Sequence, residues 1–246
     1  MIKIKSFFII ISFLTSLNAF SMVLAYVDFP PYSWQENASA KGLQIQIVNS
    51  IFKNARLELK LIHLPFKRAY QNVKEGKIDG LFNFYQTPER LQWFDYSLGF
   101  IKNPLVIFKK TNRQIDINKL AGLKVGVMRG YTYGSEFDHA SNFTRYVVDS
   151  HESAFLLLKK NRIDVYPCDY RVGNWHIEKL SLQNEINSIS KPLKIMDGHI
   201  GFTKDVHQKN IQKINNAIKS MIKSGEIDTI IKTPLDPEPI NQAEEK

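Results

Sequence analysis

Two seven-residue stretches, KEGKIDG at Lys74–Gly80 and KKNRIDV at Lys159–Val165, decide the fold class of this chain. Each joins the end of a helical pattern to a Gly or Asn, a basic residue and the start of an apolar strand pattern. Gly76 and Asn161 are the residue types that best tolerate a left-handed backbone at the end of a helix. The recurring helix-to-strand transition therefore predicts two similar α/β units in one chain.

The chain around the first stretch alternates between strand and helix patterns. Apolar residues recur at helical spacing over Leu43–Ala55, and Pro65 can open a second helix that runs towards Gly76. Strand patterns cover residues 22–27, 57–61 and 78–84. We therefore expect a strand on each side of both helices.

The same alternation continues around the second stretch and beyond it. Strand patterns cover residues 123–128, 146–149 and 163–168, and helical patterns cover residues 131–137 and 153–160. After Lys194 come two short strand patterns, 195–196 and 199–203, and a long amphipathic helix that Gly225 ends. Alternating β and α elements predict an α/β fold with parallel strands and ligands near the strand C-termini.

The N-terminus has the pattern of a secretory signal peptide. Lys3 and Lys5 give a basic start, Phe7–Leu14 (FFIIISFL) forms an apolar segment, and small residues follow at Ala19 and Ser21. The apolar segment is well short of the roughly 20 residues that span a bilayer. The sequence thus predicts a cleaved signal peptide over residues 1–21 and a soluble mature protein in the periplasm.

Composition excludes several classes of function. The net charge is +9, but the basic residues are scattered and are not interleaved with aromatic residues, which argues against a nucleic-acid partner. Cys168 is the only cysteine, so no internal disulfide is possible. No histidine or cysteine spacing resembles a metal site, and no glycine-rich phosphate loop is present. We expect neither a metal nor a cofactor.

A set of phrases in fixed order resembles a known family. Asn83–Arg90 reads NFYQTPER and is followed by DYS at residues 95–97. The other phrases are DFPPY (28–32), GLQIQI (42–47), GKID (76–79), LAGLKVGV (120–127) and RIDVYPCD (162–169). Each phrase alone is weak, but the ordered set resembles family 3 of the periplasmic solute-binding proteins, which includes histidine- and lysine/arginine/ornithine-binding proteins of ABC transporters.

The resemblance implies a periplasmic-binding-protein-like fold of two α/β lobes joined by a two-strand hinge, with the ligand in the cleft between them. One lobe would comprise residues 22–102 plus 196–246, and the other residues 103–195. The protein would bind an amino acid or a small carboxylate as a monomer and deliver it to an inner-membrane transporter permease. It would close on its ligand and perform no chemistry, so no catalytic residue is expected.

Arg90 and Asp169 are the principal candidates for ligand recognition. Thr87 can cap a helix whose first turn would hold Arg90, where the helix dipole disfavours a cation, so Arg90 is better explained by an anion that it meets. In the resembling family the matching arginine holds the ligand α-carboxylate, and the aspartate matching Asp169 accepts the α-ammonium. Two opposed charges on opposite lobes would bind a zwitterion.

The remaining candidates are expected to form the walls of the cleft. The resemblance places rings that stack on the ligand at Phe29, Tyr32 and Phe66. Asn83 and Tyr85 stand where relatives often carry small hydroxyl residues, which leaves the ligand's identity open. The turn at Gly130–Thr132 follows a strand, and its N–H groups could hold a carboxylate; here Tyr131 replaces a common Thr or Ser and precedes Thr132.

Two alternative functions stay open at this point. Cyclohexadienyl dehydratases resemble this family and would need a placed acid, for which Asp169 or Glu136 could be nominated. A sensory role, in which the closed lobes dock on a membrane receptor, would require a separate partner chain. His151, His176 and His199 are not spaced in the sequence as a catalytic base for Cys168 would be. We therefore expect Cys168 to be an unreactive cysteine.

Overall fold

The computed structural model describes residues 21–233. The predicted signal peptide therefore lies outside the described residues except for Ser21. Among residues 21–233, no helix combines the length and the apolar character that crossing a bilayer requires.

The first part of the chain forms a mixed sheet with helices against it. Strand β1 pairs in parallel with β4 and β5, while β2 and β3 form a separate hairpin. The elements are β1 (Met22–Tyr26), β2 (Trp34–Glu36), β3 (Ser39–Lys41), α1 (Leu43–Ala55), β4 (Leu59–His63), α2 (Phe66–Lys74), β5 (Gly80–Phe84) and β6 (Phe94–Tyr96).

The middle of the chain repeats this arrangement. Its elements are β7 (Ile101–Lys110), β8 (Lys124–Met128), α3 (Ser135–His139), β9 (Thr144–Val148), α4 (His151–Lys159), β10 (Val165–Asp169), α5 (Tyr170–Lys179) and β11 (Ile186–Ser188). Strand β8 pairs in parallel with β9 and β10, and β7 pairs antiparallel with β10 and β11.

Two long strands join the first part of the molecule, which contains β1–β6, to the second part, which contains β8–β11 from the middle of the chain. Strand β12 (Lys194–Thr203) pairs antiparallel with the first half of β7, over Ile101–Leu105, and its far end pairs with β5 and β6. Helices α6 (Gln208–Ser224) and α7 (Glu226–Lys232) then return to pack on α1. The predicted lobe boundaries, at residues 102/103 and 195/196, fall within these two strands and stay predictions.

The apolar faces of helices α1 and α6 form much of the core of the first part. Ile47, Ile51 and Phe52 of α1 are buried together with Ile214 and Ile218 of α6. Because both helices present one apolar face, they can bury it only against the sheet and each other. The second part has its own apolar cluster, which includes Ile107, Val125 and Val165.

The predicted fold class is confirmed, and the helix ends behave as their residue types indicate. Gly76, Asn161 and Gly225 all have left-handed φ values, of 70°, 53° and 76°. Gly225 directly follows its helix, and Gly76 and Asn161 lie two positions beyond the ends of theirs. The chain therefore turns there without the strain that a bulkier residue would suffer.

Several predicted elements differ from the structure. Residues 88–93 form consecutive turns and no α-helix, and α3 begins only at Ser135 because Gly134 at φ 112° precedes it. The two short strands after Lys194 are one continuous strand, β12. Strand β7 and helix α5 were not predicted.

Candidate functional site

The candidate site is a crevice where the two parts of the molecule meet. It encloses a cavity of about 40 Å³ beside the C-terminal end of β10. This edge of the sheet is where an α/β fold is expected to bind ligands. The lining residues are Phe29, Tyr85, Asn103, Leu105, Tyr131, Thr132, Tyr133, His151, Tyr166, Pro167, Cys168, Asp169 and Met196.

Asp169 is the one carboxylate among these lining residues of the described chain. It is the last residue of β10 and the N-cap of α5, where its Oδ1 accepts hydrogen bonds from the backbone N–H groups of Arg171 (2.9 Å) and Val172 (3.0 Å). Burial raises its pKa, although these hydrogen bonds oppose the rise. The carboxylate is thus held rigidly in a poorly solvated position.

Tyr32 connects Asp169 to the other side of the crevice. Its hydroxyl donates to the Asp169 carboxylate, with 3.0 Å to each oxygen, across 137 positions of sequence. Tyr32 is fully buried, and burial raises the pKa of its hydroxyl strongly. The predicted site residues Tyr32 and Asp169 are therefore in direct contact.

Two further contacts cross the crevice beside this hydrogen bond. The guanidinium of Arg171 donates to the backbone oxygen of Lys102 (3.2 Å), and the rings of Trp34 and Trp175 lie 5.4 Å apart. Together with Tyr32, they hold the two parts in a closed arrangement.

Arg90 lies behind the first wall of the crevice and does not line the cavity. Its Nη1 donates to the backbone oxygen of Tyr85 (2.8 Å), and its guanidinium sits 4.4 Å from the centre of the Phe84 ring. Burial lowers its pKa. No carboxylate of residues 21–233 forms an ion pair with it. The charge of the exposed neighbour Glu89 only partly opposes the lowering of the pKa, so the half-buried guanidinium lacks a contacting counter-ion.

The predicted reason for the importance of Arg90, an unfavourable helix dipole, is wrong. Because residues 88–93 form turns, no helix dipole disfavours the cation there. What distinguishes Arg90 is instead its position on an aromatic cluster without a counter-ion, which sequence patterns do not show. A guanidinium over ring faces gains cation–π stabilisation yet keeps its capacity to bind a carboxylate.

Asn83 shapes the wall through the backbone. It has φ 60° inside β5, opposite the register shift between His199 and Ile200 of β12. A bulge of this kind needs one residue in an unusual conformation, which Asn tolerates well. Its side chain accepts a hydrogen bond from the Gln44 amide (3.2 Å), so Asn83 positions the strand end that leads to Tyr85.

Tyr85 lines the cavity from the first part of the molecule, just beyond the end of β5. Its hydroxyl accepts a hydrogen bond from the Asn103 amide (3.2 Å), and burial raises its pKa. Phe29 also lines the cavity, and its ring stacks on Tyr32 at 5.6 Å. Phe66 does not line the cavity: the residue is 43% exposed, and its ring contacts Tyr70 and Phe84.

The turn before α3 is already occupied by a carboxylate of the chain itself. Asp138 accepts from the Thr132 hydroxyl (2.5 Å) and from the backbone N–H groups of Tyr133 and Gly134. Tyr131 and Thr132 both line the cavity, and Tyr131 is half exposed. In this arrangement the Thr132 hydroxyl is engaged inside the chain.

Sequence patterns missed a cluster behind Tyr131. His151 Nδ1 lies 2.8 Å from the Tyr166 hydroxyl and 3.5 Å from Cys168 Sγ, and all three residues line the cavity. Burial lowers the pKa of His151 to about 3 and raises that of Cys168. The sequence offered one indication: His151 begins α4, and Cys168 is the penultimate residue of the strand that follows, β10.

No group of described residues has the composition of a metal site.

A family model supports the resemblance seen in the phrases. The model of the bacterial extracellular solute-binding proteins, family 3, matches residues 22–234, which is nearly the whole chain after the predicted signal peptide.

Individual proteins of known description are similar over most of the chain. ABC transporter arginine-binding protein 1 of Escherichia coli is 22% identical over 80% of this chain and 83% of its own length. A probable histidine-binding protein of Campylobacter jejuni is 23% identical over 83% of this chain and 80% of its own. The arginine-, lysine-, histidine-binding protein ArtJ of Geobacillus stearothermophilus shares the fold, with a TM-score of 0.70, 20% identity and coverage of 89% and 97%.

Proposed function

Because this chain belongs to the bacterial extracellular solute-binding proteins of family 3, we propose that it captures a free amino acid outside the cytoplasm. The bound amino acid is presented to the permease of an ABC-type transporter, and no bond of it is made or broken. The relatives named for arginine and histidine binding support amino acids as the ligand class.

The observation that carries the proposal is the unpaired guanidinium of Arg90. A half-buried cation without a counter-ion is unfavourable unless an anion completes the site. Arg90 donates a hydrogen bond to the backbone oxygen of Tyr85, whose side chain lines the cavity, so its guanidinium lies directly behind the wall that the first part of the molecule contributes. The ligand α-carboxylate binds there, and the buried carboxylate of Asp169 receives the α-ammonium from the second part.

Capture requires that the crevice opens and closes. A cavity of about 40 Å³ holds only a few water molecules, so an amino acid enters only when the two parts move apart. Strands β7 and β12 are the covalent connections between the parts and act as the hinge. A ligand that contacts both walls stabilises the closed state by its differential affinity.

The chemistry of Cys168 and His151 supports a binding function without catalysis. An activated thiol needs a lowered pKa and a basic partner. Burial instead raises the pKa of Cys168 and lowers that of His151, so both groups stay neutral at pH 7. In this proposal, residues 1–21 are removed as a signal peptide and the mature protein acts in the periplasm.

The first prediction concerns Arg90. A saturating amino acid should raise the melting temperature of the mature protein by about 5–10 °C, since ligand at 100 times Kd adds about 2.7 kcal/mol. Arg90→Ala should abolish this rise, whereas Arg68→Ala, which removes an exposed arginine of α2, should leave it intact. Differential scanning fluorimetry against the common amino acids and small carboxylic acids measures both.

Either of two outcomes contradicts the proposal. One is that no compound of the panel stabilises the wild-type protein. The other is that Arg90→Ala and Arg68→Ala respond alike.

A further inference from the structure

The cavity wall beyond Asp169 consists of uncharged side chains. Tyr131, His151, Tyr166 and Cys168 form this wall on the second part of the molecule, and Met196 of β12 continues it. Among the described lining residues, no lysine or arginine is present and Asp169 is the only acid. A ligand side chain that extends away from Asp169 therefore meets aromatic, imidazole, thiol and thioether groups.

His151 does not add a charge to this wall at neutral pH. It is packed between the rings of Phe29 and Tyr131, each 6.0 Å away, and it stacks on His176 at 5.2 Å. Burial keeps the pKa of His151 near 3 and that of His176 near 4. Both imidazoles are thus neutral over the range in which the protein would meet its ligand.

Asp169 and the acids nearest to the crevice are already engaged. The Asp169 oxygens are held by Tyr32 and by the first turn of α5. Asp138 is bound by the turn before α3, and Asp197 forms an ion pair with Lys102 at 2.6 Å. Glu152, next to His151, is paired with Lys179. None of these carboxylates is left to balance a cation in the ligand side chain.

The cations near the crevice are similarly restricted. Arg90 is assigned to the α-carboxylate, and Arg171 is directed to the backbone oxygen of Lys102. A second carboxylate of the ligand that lies within the cavity would therefore also lack a partner, since Lys194 lines the adjoining groove, together with Tyr85 and Met196, and not the cavity itself. A charge that loses water without gaining a partner is strongly disfavoured.

We infer that the ligand is an amino acid whose side chain carries no charge, which separates this protein from the relatives named for arginine. The inference rests on the proposed function and names the ligand class of the same crevice. Discrimination against a charged side chain of equal size is expected to be about 100-fold or more, because the charge would be buried unpaired.

The test uses pairs of amino acids that match in shape and differ in charge. Binding of citrulline and arginine, glutamine and glutamate, and norleucine and lysine is measured by isothermal titration calorimetry on the mature protein. In each pair that binds, the neutral member is expected to bind at least 100-fold more tightly. Equal or tighter binding of arginine, lysine or glutamate than of its neutral partner overturns the inference and leaves the proposed function standing.

A variant tests whether the neutral wall causes the discrimination. Tyr131→Glu places a carboxylate at this wall and should shift the preference at least tenfold from citrulline towards arginine. Tyr146→Glu, on the exposed strand β9, should not change it. Melting temperatures without ligand establish that both variants fold. An unchanged preference in folded Tyr131→Glu refutes the role of the wall, whereas a wild-type protein that binds no amino acid overturns the proposed function itself.

Discussion

Asp169 serves two physical purposes at once. Its Oδ1 caps α5 by accepting from two backbone N–H groups, and its carboxylate faces the cavity. Capping needs only an acceptor oxygen, while binding an ammonium needs the negative charge. The two purposes can therefore be separated by changing the charge and keeping the shape.

The second prediction follows from this separation. Asp169→Asn should keep the stability of the unliganded protein within about 0.5 kcal/mol, since Asn caps helices as well as Asp does. Asp169→Ala should lower the free energy of unfolding by about 2–5 kcal/mol, because the cap and the hydrogen bond from the buried Tyr32 hydroxyl are both lost. Urea unfolding of the three proteins measures these differences.

Ligand binding is then compared between the two variants. Both should lose the ligand-induced rise in melting temperature, since neither supplies a charge for the α-ammonium. If Asp169→Asn binds as the wild type does, the carboxylate is a structural cap alone.

At the residue scale, the sequence predicts those site features that depend on neighbouring residues in the chain. Asp169 was expected just past a strand, and it ends β10. The contact between His151 and Cys168 was not expected, because the two residues are 17 positions apart and meet only when α4 packs beside β10. The lack of an ion pair at Arg90, despite the neighbouring Glu89, likewise depends on long-range packing, so local spacing does not show it.

Helix α5 follows β10 without a loop and packs on β7 through a glycine. A Cβ atom added at Gly173 would overlap the ring of Phe108, which is fully buried in β7. The ring has no free space to move into, because protein interiors are close-packed. Gly173 therefore sets how closely α5 approaches the sheet.

The third prediction is that Gly173→Ala destabilises the protein by about 1–3 kcal/mol, since overpacking forces shifts of the buried ring or the helix. The neighbouring change Asn174→Ala should alter stability by no more than about 0.5 kcal/mol, because it only removes a local hydrogen bond to Tyr170. The midpoints of urea unfolding of the two variants measure this difference. Equal midpoints would show that α5 can shift away from Phe108 without a loss of stability.

At the element scale, periodicity predicted the elements with a clean pattern. Helix α1 was expected over the same residues that it occupies, Leu43–Ala55. Strand β7 was missed because Pro104 and flanking lysines interrupt its apolar run, and Pro104 is accommodated where β7 pairs with β12. The sequence predicts two short strands in place of β12, because Gly198 interrupts the apolar pattern in the middle of the strand.

The two parts of the molecule are in a closed arrangement that Tyr32 helps to hold. The hydroxyl of Tyr32 donates to Asp169 across the crevice, while Arg171 and the Trp34–Trp175 pair add contacts beside it. A hydrogen bond to a carboxylate contributes about 1.5–3 kcal/mol. Removing it should shift the balance between open and closed forms by about tenfold or more.

The fourth prediction is that Tyr32→Phe increases the radius of gyration of the unliganded protein, as measured by small-angle X-ray scattering. Tyr26→Phe is the matched control, because Tyr26 lies in β1 and its ring packs on Phe82 within the same part of the molecule. An unchanged radius for Tyr32→Phe would show that this hydroxyl does not hold the two parts together.

The pairing of β7 with β12 has a consequence for how such a molecule can be altered by recombination. Asn103 lies opposite Met196, so the chain leaves for the second part and comes back at adjacent positions. A segment whose two ends are already side by side can be exchanged as a cassette without rerouting the remaining backbone. One wall of the crevice could thus be replaced by that of a homologue while the opposite wall, with Arg90, is retained.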